Sequence, residues 1–124
     1  MTTYQVLIVD DDSAQRDDVA ETLQFSSRVT YEPLQAASGQ EALAQYQAHP
    51  DIALIILDTD LNPTSEKGWQ VYDLLRQAGY TGPALARSAR EQDSEWERRR
   101  IPFLAKSASS TELEERVYAL LQQK

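Results

Sequence analysis

Ala53-Leu54-Ile55-Ile56-Leu57-Asp58 is an unbroken apolar run that stops on an acid. A run this short, rich in isoleucine and leucine, fits a strand buried on both faces, as in the middle of a parallel sheet. In open α/β sheets, ligands bind just beyond the carboxyl ends of such strands. This places Asp58 where chemistry is usually done, and the remaining segments can be read by their distance from it.

Upstream, Val6-Leu7-Ile8-Val9 is a second apolar run, closed by Asp10-Asp11-Asp12. Residues 13–25 read as a helix capped by Asp12 or Ser13, with Val19, Ala20 and Leu23 facing inward. Residues 28–36 form a weaker strand. Pro33 has no N–H to give a ladder, so that strand belongs at a sheet edge. Ser38-Gly39 opens a second helix with Ala42, Leu43 and Tyr46 inward, ending near His49-Pro50. Downstream of Asp58, residues 59–67 read as a loop. Val71, Leu74, Leu75 and Ala78 carry helical spacing across 69–78, and Gly79 ends that helix. A fourth strand covers 83–88. A short fourth helix covers 91–98, acidic at its start and basic at its end, as the helix dipole favours. A fifth strand covers 101–105 and runs into Lys106. Thr111 with Glu114 suggests a capping box for a last helix, whose buried stripe is Leu113, Val117, Leu120 and Leu121. Strand and helix alternate five times, which predicts right-handed crossovers and a doubly wound parallel α/β sheet.

The bulk properties fit one domain spanning residues 1–124, with no output segment. The formal net charge of −8 opposes binding to phosphate backbones and to anionic membrane surfaces. There are no cysteines, which removes disulfides and thiolate metal sites and suits a cytoplasmic location. No apolar run approaches a membrane span, and the N-terminus enters a strand almost at once.

In such a sheet the strand ends bring Asp10, Asp11, Asp58, Ser88 and Lys106 to one rim. Three carboxylates gathered there would repel one another unless compensated. A hard divalent cation compensates them, and an oxygen-only donor set favours Mg²⁺ (or Mn²⁺) over zinc. Lys106 adds a point positive charge and Ser88 a hydroxyl. Together they make a place for a small dianion on top of a carboxylate, and phosphoryl transfer to Asp58 is the chemistry that fits.

These residues, with Ser38-Gly39-Gln40-Glu41-Ala42-Leu43 and Ser88-Ala89, make the chain resemble the receiver domain of bacterial two-component response regulators, the CheY-like family. The resemblance covers nearly the whole chain. It implies a flavodoxin-like sheet of order 2-1-3-4-5 with five helices. It also implies that Asp58 is the phosphoacceptor, that Asp11 ligates Mg²⁺ directly and Asp10 mostly through water, and that Asp60 offers its backbone carbonyl. Ser88 and Lys106 would hold the phosphoryl group, and Ser88 and Phe103 would form the switch pair. The donor would be a sensor histidine kinase, a histidine phosphotransfer protein or a small acyl phosphate. A downstream protein would read the face made by the fourth helix, fifth strand and fifth helix, on a monomer or weak homodimer.

Four features depart from the family pattern. The loop after Asp58 is longer, Ser107 replaces the proline after Lys106, the stretch between Ser88 and Lys106 is short, and Arg87 falls in a strand expected to be buried. A buried Arg must be paired, so Arg87 is expected to reach an acid or the domain edge. The isomer of the Lys106–Ser107 bond stays open. Read from the residues alone, Phe103 is a plain core aromatic, Trp96 packs partially, Trp69 covers the start of the third helix, His49 is surface and Arg98-Arg99-Arg100 is a solvated helix end. Asp60 and Arg90 could pair across the site entrance. Two other functions share these residues. One is a phosphorylation-independent pseudo-receiver used for binding or dimerisation. The other is a phosphatase of the haloacid dehalogenase type, suggested by Asp58-Thr59-Asp60. The motif order and the short chain argue against the phosphatase.

Overall fold

The computed structural model describes residues 2–123. Strand β1 (Thr3–Val9) leads to α1 (Ser13–Gln24), then β2 (Thr30–Ala36), α2 (Gly39–Ala48) and β3 (Leu54–Leu57). Two short strands follow, β4 (Asp60–Leu61) and β5 (Glu66–Lys67), before α3 (Gly68–Gln77), β6 (Ala84–Ser88), α4 (Ser94–Arg98), β7 (Phe103–Ala105) and α5 (Ser110–Gln122). The main sheet is parallel, in the order β2-β1-β3-β6-β7. That is the expected 2-1-3-4-5 arrangement once the two short strands are counted. β2 lies at the edge, where Pro33 costs no central hydrogen bond.

Every residue of β3 is buried, because apolar layers cover both faces of the sheet. On one face Leu7, Val9, Ile55, Leu57 and Ala86 pack with Ala42 of α2, Val71 and Leu75 of α3 and Trp96 of α4. On the other, Val6, Ile8, Leu54, Ile56 and Leu85 pack with Val19 and Leu23 of α1 and Leu113 and Val117 of α5. The period-2 alternation of each strand thus feeds two separate layers. α3 ends where expected, on Gly79 at φ 115°. No helix among the described residues is long and apolar enough to cross a membrane.

Four expectations are corrected. Residues 59–67 are not a plain loop. β4 and β5 pair antiparallel, Asp60 opposite Lys67 and Leu61 opposite Glu66. Leu61 is buried in the core, and the Glu66 carboxylate accepts from Gly39 N (2.8 Å) at the start of α2. The last helix is capped by Ser109, whose Oγ accepts from Glu112 N (3.1 Å), and not by Thr111. Glu114 cannot close a capping box because its carboxylate pairs with Arg28 and accepts from Ser26 Oγ. Trp96 is fully buried, with its ring edge-on to Trp69. Arg99 is mostly buried in ion pairs with Asp73 and Glu95 (2.7 Å each), while Arg98 stays exposed. The peptide bond after Lys106 is trans; Asn62–Pro63 is the cis bond among the described residues.

Candidate functional site

Asp10, Asp11 and Asp58 converge at the carboxyl rim of the sheet. One carboxylate oxygen from each lies within 4.8 Å of the others. The local sequence explains the convergence. β1 and β3 are hydrogen-bonded neighbours with Val9 opposite Leu57, so the residues that follow, Asp10 and Asp58, leave the sheet side by side. Asp10 Oδ1 accepts from Asp12 N (2.9 Å), turning the chain into α1, whose N-cap is Asp12. Asp58 Oδ1 accepts from Thr59 N (2.8 Å).

Lys106, just past β7, spans the two acids. Its Nζ lies 2.9 Å from Asp10 Oδ2 and 3.1 Å from Asp58 Oδ2. Its position is fixed by its own N–H, which donates to Ser88 O (3.0 Å). Burial works against the ammonium, but the hydrogen bond and charge of Asp10 and the charge of Asp58 outweigh it, and the Lys106 pKa rises. Asp58 shifts upward as well. Burial, then the charge of Asp10, push its pKa up to about 6 despite Lys106. The rim is therefore short of positive charge, and all of its acid donors are oxygen. Both facts fit a hard divalent ion such as Mg²⁺ held by Asp10, Asp11 and Asp58.

Ser88 is buried at the end of β6, and its Oγ accepts from Arg90 N (3.2 Å). The Asp60 carboxylate is held in ion pairs with Lys67 and with Arg90 Nε (3.0 Å). The expected pairing of Asp60 with Arg90 is thus present, and Lys67 from the hairpin joins it. Phe103 is half-buried on β7, packed against the α2–α3–α4 layer.

Arg87 is 6% exposed. It reaches neither an acid nor the domain edge; its Nη1 donates to Gln15 Oε1 of α1 (3.1 Å). Burial lowers its pKa, opposed by the charges of Asp10, Asp18 and Asp58. Thr59, next to Asp58, is not singled out by sequence. Its hydroxyl accepts from Trp96 Nε1 (3.0 Å). The only sequence signal for this contact is that Trp96 is the one large apolar residue on a charged helix.

Gly68 sets how closely the backbone packs beneath the site. Its N–H donates to Thr59 O (2.8 Å), and a Cβ there would lie 1.9 Å from Asp58 O. Gly68→Ala is expected to destabilise the fold by about 2 kcal/mol, because backbone must move. Urea unfolding measures this, and a shifted Asp58 carboxyl resonance would report displacement of the acid.

The profile of the response regulator receiver domain matches residues 6–118. The chain belongs to that family. Solved receiver-type structures share its fold. The Vibrio cholerae chemotaxis protein CheY4 is 27% identical, with a TM-score of 0.81, covering 96% of this chain and 99% of that one. The receiver domain of NtrX from Brucella abortus is 24% identical, with a TM-score of 0.83, covering 96% and 99%. The receiver domain of NarL from Mycobacterium tuberculosis is 22% identical, with a TM-score of 0.81, covering 100% of both. No curated protein sequence matches the chain. Receiver domains are regulatory, generally bind Mg²⁺ at an acidic pocket, and work with histidine kinases and output domains.

Proposed function

We propose that this receiver is a phosphorylation-dependent switch that accepts a phosphoryl group on Asp58. The observation that carries the reading is Lys106 Nζ lying within hydrogen-bond reach of both Asp10 and Asp58, with Asp11 alongside. The donor is a phosphohistidine of a sensor kinase or phosphotransfer protein, or a small acyl phosphate. A carboxylate oxygen of Asp58 attacks phosphorus as the bond to the donor nitrogen or oxygen breaks, and the electron pair leaves with the donor. Asp10, Asp11 and Asp58 would hold Mg²⁺, which when bound would neutralise the phosphoryl oxygens. Lys106 is already charged and positioned to leave its carboxylate contacts for one of those oxygens. The Ser88 hydroxyl donates to another.

The phosphoryl group adds about two negative charges at the rim. Lys106 and Ser88 follow it, and β7 with Phe103 and α4 transmit the change to the α4–β7–α5 face, where a protein partner binds. The haloacid dehalogenase reading needs Asp60 as a free general acid/base. Lys67 and Arg90 both hold that carboxylate, which favours the switch.

Incubation with acetyl phosphate and Mg²⁺ tests the reading by intact mass. The wild type is expected to gain one phosphate and Asp58→Asn none, with beryllium fluoride binding following the same pattern. A wild type that stays unmodified and binds no beryllium fluoride overturns it, leaving a phosphorylation-independent module.

A further inference from the structure

Three neighbouring strands end in a row of two acids and a base. Val9 pairs with Leu57, and Leu57 with Ala86. One step further along each strand stand Asp10, Asp58 and Arg87. Two residues back, Ile8, Ile56 and Leu85 all belong to the α1–α5 layer, so alternation sends the row toward that same face. Arg87 accordingly meets Gln15 of α1.

A guanidinium keeps its charge in a protein, and burying it is costly without compensation. Arg87 makes no ion pair among the described residues. Its one side-chain partner is a neutral amide, which holds the charge in place without cancelling it. The compensation available is the field of the acids nearby, Asp10 and Asp58 along the row and Asp18 on α1. The register sets Arg87 beside Asp58 on the neighbouring strand, so the same field acts back on the acids without contact.

We propose that Arg87 is a built-in counter-cation of the acid site, tethered by Gln15, that does part of a divalent ion's work and lowers the site's affinity for Mg²⁺. Arg87 is a positioning residue: it acts on the carboxylates through charge and touches neither ion nor phosphoryl group. This rests on the reading that Asp10, Asp11 and Asp58 hold the metal.

Calorimetric titration with Mg²⁺ at low ionic strength, without any phosphoryl donor, tests it. Arg87→Met removes the charge and keeps much of the bulk. Arg87→Gln removes the charge and keeps a donor for Gln15, and serves if the first variant does not fold. Either neutral variant is expected to bind Mg²⁺ about tenfold more tightly than wild type, the scale of one charge acting on a divalent ion at short range. Arg87→Lys is expected to bind as wild type does, and added salt to shrink the difference. Equal or weaker binding by the neutral variants overturns the proposal, as does equal tightening by the Lys variant. Should the wild type bind no Mg²⁺, binding gained only by the neutral variants supports the proposal and its absence overturns it. Failure of phosphate uptake at Asp58 defeats the switch reading and leaves this comparison intact.

Discussion

Asp58→Asn is expected to be more stable than the wild type near neutral pH, although it loses the proposed acceptor. The cause is the environment of the carboxyl. Burial and then the charge of Asp10 raise its folded pKa from 3.8 to about 6. A carboxyl whose pKa is higher folded than unfolded holds its proton more tightly in the folded state. Its contribution to stability is fully present below pH 3.8 and is lost as pH rises through about 6. Discounted for the solvent that still screens the site, the shift implies a cost of about 1–2 kcal/mol at pH 7. Asn fills the same volume and has nothing to ionise, so it avoids that cost. Lys106 keeps Asp10 as its partner in the variant, and buried Arg87 keeps the fields of Asp10 and Asp18. Urea unfolding without divalent cations, from pH 3 to pH 8, is the measurement. The wild type should lose stability relative to Asp58→Asn between about pH 4 and pH 6 and stay level above that. Parallel curves across the range would mean that Asp58 is not desolvated as its surroundings imply. A binding site that sacrifices stability in this way is consistent with a rim arranged for a cation and a dianion.

Much of this arrangement was legible in the chain because it depends on local patterns. Unbroken apolar runs marked β1 and β3, Pro33 marked an edge, and helical spacing with Gly79 marked α3 and its end. Parallel topology then brought Asp10, Asp58, Ser88 and Lys106 to one rim without any knowledge of contacts. What escaped depends on partners far apart in sequence. Arg99 looked solvated because Asp73, its partner, lies on another helix. Glu114 looked like a capping residue because the pull of Arg28 cannot be seen from the α5 segment. Ser107-Ala108-Ser109-Ser110-Thr111 offers several hydroxyls in a row, and backbone geometry, not composition, selects Ser109. The hairpin has a single apolar anchor, Leu61, too little for a periodic signal. Arg87 stands out in the sequence as an anomaly, but the sequence points to an acid or the domain edge where an amide of α1 stands.

Trp96→Ala is expected to cost about 4 kcal/mol, the scale for deleting a large buried aromatic. The charged run around it disguises its importance: α4 has five residues, and its other four side chains are polar or charged. Trp96 is 0% exposed, meets Trp69 edge-on at 5.8 Å and donates its indole N–H to Thr59 Oγ1. A helix this short has almost no stability of its own, so this ring is what docks it. Trp96→Phe separates the two contributions. It retains most of the apolar filling and loses the donor, so a smaller penalty is expected, about 1–2 kcal/mol for the hydrogen bond plus residual volume. Thr59→Val loses the same hydrogen bond from the other side. In a double-mutant cycle the Phe and Val changes should fall short of additive, because the second removes nothing that the first has left. Additive penalties would show that the contact carries no energy. The consequence for a switch lies in connectivity. Thr59 is bonded to Asp58, so a rearrangement at Asp58 pulls on the indole and through it on α4. Variants at Trp96 should therefore loosen α4 in amide exchange while leaving the Asp10–Lys106–Asp58 contacts in place.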